Sequence, residues 1–220
     1  YLLFEDEIPD ELKKNVVEAL KLVDFDQKEK QEKPILCLIG FIRSCGAIDP
    51  MVVQMRAQKY SLNLRSLETN PLFNFWTYYT FDYLMPDDTD GEAIVYYDSI
   101  PYMDAIANAR LDYELIAPEF LKPESYLSIF YNGYDDTDPD VHALFDRFKK
   151  SEDVFDSFKM ERILECIETC RMTEHLIAFF PKLEEFDPRT TELFKKAIYK
   201  MPMPYLTGMK LQDYQSKMKR

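Results

Sequence analysis

Ile35, Leu36, Ile39 and Ile42 recur at the spacing that gathers apolar side chains on one side of a helix, and they open the most regular stretch of the chain. The pattern predicts a helix from Pro34 to Cys45, a tight turn, and a second helix from Pro50 to about Leu62. Gly46 suits the left-handed conformation that ends a helix, and Asp49-Pro50 supplies an N-cap followed by the residue best suited to the first helical position. The outward face of the second helix is expected to carry Arg56 and Lys59, which makes the layout that of a helix-turn-helix.

Upstream, Leu12, Val16, Ala19, Leu20 and Val23 form the apolar face of an amphipathic helix over roughly Glu11 to Leu22. The alternating charges of Asp24 to Lys33 read as a solvated helix face or connector. Downstream, Phe73 to Tyr83 alternates with period two, with Phe75, Thr77, Tyr79 and Phe81 on the expected core face. Trp76 and Tyr78 fall on the other face, where they are either covered by a neighbouring helix or add to a partner surface. Ala93 to Tyr97 reads as a second strand, so the two are expected to pair as an antiparallel hairpin, and helices followed by a hairpin is the order of a winged helix.

From Pro101 onward the periodicity is helical almost throughout. Pro118 or Pro123 begins a helix that stops at Asn132-Gly133, Pro139 begins another to Lys150, and Pro188 a third to about Lys200. Asp-Pro pairs at 49, 138 and 187 mark helix starts, and Met201-Pro-Met-Pro204 ends the last long helix because each proline removes a donor. The expected fold is mainly α: an N-terminal winged-helix-like module with a β-hairpin over 1–100, then an antiparallel helical bundle over 101–220 with a basic tail.

Charge changes this picture most. Between Met85 and Asp146 fifteen carboxylates face only Arg110 and Lys122, a net −13 that equals the charge of the whole chain, so the remainder is neutral. Such an acidic centre argues against wrapping nucleic acid there, because phosphate binding rests on Lys and Arg. It suits a basic partner instead.

The search for chemistry mostly excludes. Five glycines, none in a cluster, leave no phosphate-cradling loop, and no nucleotide cofactor is expected. No apolar run approaches the roughly 20 residues of a membrane span, and no leader pattern opens the chain. The first residue, Tyr1, is not methionine, which leaves room for an upstream segment. The four cysteines fall inside predicted helices, so reduced thiols in a cytoplasmic setting are expected. Cys166 and Cys170, one turn apart and followed by His175, lack the second ligand pair of a zinc site. The acidic tetrapeptide Asp-Asp-Thr-Asp occurs at 87–90 and 135–138, but a calcium loop with Gly91 at its sixth position would start at Pro86 and end at Tyr97, so turn and cap chemistry is the reading. His142 and His175 have no nucleophile in a recognisable motif.

Four stretches carry a resemblance: Ile8-Pro-Asp-Glu-Leu12, Phe41-Ile-Arg-Ser-Cys-Gly-Ala-Ile-Asp-Pro50, the tyrosine-rich wing, and Lys200-Met-Pro-Met-Pro-Tyr-Leu-Thr-Gly-Met-Lys-Leu-Gln-Asp-Tyr214. In these the chain resembles a group of poorly characterised bacterial proteins that often carry the short zinc motif of the SecA C-terminus. The resemblance implies a winged helix plus helices in a bacterial or phage cytoplasmic setting. The zinc motif itself is absent, so no metal is implied.

The functional expectation is a non-catalytic interaction or regulatory protein that binds a protein partner, of basic character, through Trp76, Tyr78, Asp87, Asp88, Asp90, Asp135, Asp136 and Asp138, without cofactor or membrane. One alternative is a DNA-binding regulator that reads bases with Gln54, Arg56, Gln58 and Lys59. A second is a hydrolase with a carboxylate-based site.

Overall fold

A computed structural model of the chain describes residues 9–21, 24–62, 81–84, 94–97, 121–150, 160–161, 163–164, 187–206 and 208–218. The chain divides between Lys33 and Pro34 into two compact units. Helix dominates the described residues, with seven bounded α-helices among them, and none of these is long and apolar enough to cross a membrane.

In the first unit, α1 spans Asp10–Lys21 and leaves Leu12 and Val17 half exposed. Helix α2 then runs Phe25–Cys45. Its charged opening is helical rather than a connector: the Asp24 carboxylate accepts the Gln27 N–H at 3.0 Å, and Lys28 and Glu32 pair one turn apart at 3.8 Å. Pro34 lies inside the helix, where its missing N–H takes one bond from the ladder.

The second unit begins there. From Ile35 to Ile42 every residue of α2 is buried. Gly46 adopts φ +72°, and its N–H returns to the Ile42 and Arg43 carbonyls, ending α2 as its sequence suggests. Ala47–Ile48 forms β1, the Asp49 side chain caps the Met51 N–H at 2.6 Å, and α3 occupies Pro50–Lys59. Strands β2 (Phe81–Leu84) and β3 (Ile94–Tyr97) pair antiparallel, Tyr83 opposite Val95, and β1 pairs with the other edge of β3. The rest of the Phe73–Tyr83 stretch lies outside the described residues.

The remaining bounded helices among the described residues are α4 (Pro123–Asn132), α5 (Pro139–Lys149), α6 (Pro188–Ile198) and α7 (Leu211–Met218). The first three begin on prolines at 123, 139 and 188, with Asp138 and Asp187 capping α5 and α6 through their carboxylates. Among the described residues two apolar cores result. One joins α2, Ile48 and α3 to Tyr126 and Ile129 of α4; the other packs α5 and α6 around Tyr134, Phe145 and Phe194 and includes Met203, Leu206 and Met209.

The expected winged-helix-like module followed by a separate bundle is therefore corrected. A helix apolar on all sides needs covering on all sides, and α3 covers only part of α2; α4, from the half assigned to the bundle, closes the same core. Gly40 marks how near α4 comes, since a Cβ there would stand 2.0 Å from the Tyr126 carbonyl oxygen. The segment read as a basic tail carries structure of its own. After α6 the chain makes an antiparallel pair, β4 (Pro202–Met203) and β5 (Met209–Lys210), around a 3-10 turn at Pro204–Leu206, and then α7. Four apolar residues there, Met203, Leu206, Met209 and Leu211, are buried.

Candidate functional site

Most of the described carboxylates of the acidic segment lie at the turn between α4 and α5 and in the first turn of α5. Gly133, at φ +83°, stops α4, and Tyr134 swings inward to stack on Phe145 at 3.7 Å. Ser128 ties the turn back to α4: its hydroxyl donates to the Tyr134 carbonyl at 3.0 Å and accepts the Asp136 N–H at 2.8 Å. The chain then delivers four carboxylates within six positions, and the structure gives each a different surrounding.

Asp135 is buried, its side chain 1% exposed. One oxygen accepts the Thr137 hydroxyl at 2.5 Å and the Thr137 N–H at 3.3 Å; the other faces the Lys210 ammonium at 3.4 Å. Asp138 caps α5 by accepting the Asp140 N–H at 3.0 Å, and it also approaches Lys210 at 3.6 Å and Lys200 at 3.9 Å. Asp140 pairs closely with Lys200, and that hydrogen bond, with the Asp138 charge behind it, raises the Lys200 ammonium above its ordinary range. Asp136 meets His142 Nδ1 at 3.1 Å near the surface.

Beside this turn lies an open groove of about 430 Å³, lined on the α4 side by Lys122 and Ser125, by Asp135, Thr137 and Asp138 of the turn, and on the far side by Lys210, Gln212 and Asp213. The Ser125 and Thr137 hydroxyls are 3.0 Å apart across its floor. Carboxylates, ammonium groups and hydroxyls share the lining with Leu121 and Pro139, so the groove offers mostly charged and hydrogen-bonding groups. Among the described residues no group of three His, Cys, Asp or Glu side chains is placed to hold a metal ion.

Of the residues singled out from the sequence, Asp135, Asp136 and Asp138 come together in this turn, although Asp135 is turned inward. Trp76, Tyr78, Asp87, Asp88 and Asp90 lie outside the described residues, as do Cys166, Cys170 and His175. Cys37 and Cys45 are buried, and the Cys37 thiol donates to the Pro123 carbonyl at 3.5 Å.

On α3, Gln54, Gln58 and Lys59 are exposed, but Arg56 is not on the outward face. It is 5% exposed and points into the first core. Its guanidinium donates to the Tyr60 hydroxyl at 2.8 Å and the Leu121 carbonyl at 3.3 Å, and lies 4.8 Å from the Tyr60 ring centre and 4.9 Å from that of Tyr126. Burial raises the Tyr60 phenol, with Arg56 opposing. The helix is thus rotated so that Met51 and Met55 face outward and Val53, Arg56 and Ala57 inward. One signal for this was in the sequence: Arg56 and Tyr60 stand one helical turn apart, the spacing at which side chains meet.

Lys200, Lys210, Ser125 and Thr137 were not foreseen at the site. Both lysines lie beyond residue 199, in or beside the segment read as helix end and tail, and no local pattern joins them to residues 60 to 75 positions earlier. No family model matches the chain, and neither a curated protein nor a solved structure matches it.

Proposed function

We propose that this is a non-catalytic interaction or regulatory protein that binds a basic segment of a partner protein along its acidic face. The reading rests on one observation: fifteen carboxylates against two cations between Met85 and Asp146, of which the turn at 135–140 holds four beside a polar groove. Lys200 and Lys210 neutralise part of that charge from within the chain, and Asp136 and the groove residue Asp213 are not among their partners in these ion pairs. A partner rich in lysine or arginine is drawn by the summed field and finds carboxylate and hydroxyl acceptors in the groove.

The test is fluorescence anisotropy of a labelled lysine- and arginine-rich peptide with the full chain at low and at high salt. Binding at low salt that weakens as salt rises, and that weakens further in Asp136→Lys/Asp213→Lys, supports the proposal. Absence of binding at low salt, indifference to salt, or indifference to the charge reversal each overturns it.

A further inference from the structure

We draw no further inference here: the strongest candidate, the open groove between the amino end of α4, the 135–138 turn and the β5–α7 junction, belongs to the site already described, and nothing in the structure shows what fills it.

Discussion

Gly40 of α2 lies against the backbone of Tyr126 of α4, so close that a methyl group on Gly40 would stand 2.0 Å from the Tyr126 carbonyl oxygen and 2.8 Å from its carbonyl carbon. Helix propensity alone favours alanine over glycine at an interior position by about 1 kcal/mol. Here the contact is with backbone, which cannot rotate aside as a side chain would. Gly40→Ala is expected to destabilise by about 1–3 kcal/mol or more, as overpacked cores do. Urea denaturation followed by circular dichroism measures it, and a stabilised variant would show that α4 does not pack on α2 as described.

Arg56 is expected to behave as a core residue. Arg56→Ala removes a guanidinium held by Tyr60, Leu121 and two aromatic faces and should cost about 2–4 kcal/mol. Gln58→Ala, on the exposed side of the same helix, should change stability by about 0.5 kcal/mol or less. Any loss of nucleic-acid binding in an Arg56 variant is therefore interpretable only beside its melting curve.

The Asp135–Lys210 pair links the α4–α5 turn to β5 across 75 positions of sequence. Removing Lys210 strands the buried Asp135 carboxylate, whereas removing Asp135 leaves Lys210 with Asp138 at 3.6 Å, so Asp135→Ala and Lys210→Met should each destabilise, the second by about 3–5 kcal/mol. The double variant should cost less than the two singles together. A double-mutant cycle from urea melts reads the coupling, and strict additivity would show that the two groups do not interact.

The segment after α6 is expected to be indispensable. Met209 is fully buried, and Met209→Ala should cost about 2–5 kcal/mol through lost transfer energy and the cavity left behind. Removal of residues 202–220 strips Met203, Leu206, Met209 and Leu211 from the second core and should prevent cooperative folding, visible as loss of a sharp thermal transition. A cooperative, near-native melt of the shortened chain would show that this segment is not part of the second core.

Acid should weaken the α6 cap. Asp187 accepts the Thr190 hydroxyl at 2.6 Å, the Arg147 guanidinium at 2.7 Å and the Thr190 N–H at 3.1 Å, and these hold its carboxyl well below the ordinary value of 3.8. A depressed folded-state value means that the stabilisation is complete above the unfolded value and is lost as pH falls through and below 3.8. Asp187→Asn should flatten the acid limb of a plot of melting temperature against pH. An unchanged acid limb would remove Asp187 from the acid response.

Short-range rules decided much of the local structure before any packing was known. Gly46 and Gly133 ended helices in the left-handed conformation, and the Asp-Pro pairs at 49, 138 and 187 began them, because each depends on groups within about four residues along the chain. Tertiary structure decided what those elements were for. Spacing alone put Arg56 on the outward face of α3, so only the arrival of Tyr126 of α4 and of the Leu121 carbonyl just before that helix could turn Arg56 inward and leave Met51 and Met55 outside. Likewise, nothing near Lys210 in sequence distinguishes it from the other tail lysines; it became part of the site because β5 is buried through Met209 and the adjacent residue then faces Asp135. Charge and apolar pattern are properties of neighbours along the chain, whereas the partner that neutralises a charge is chosen by which distant segment fills the remaining apolar surface.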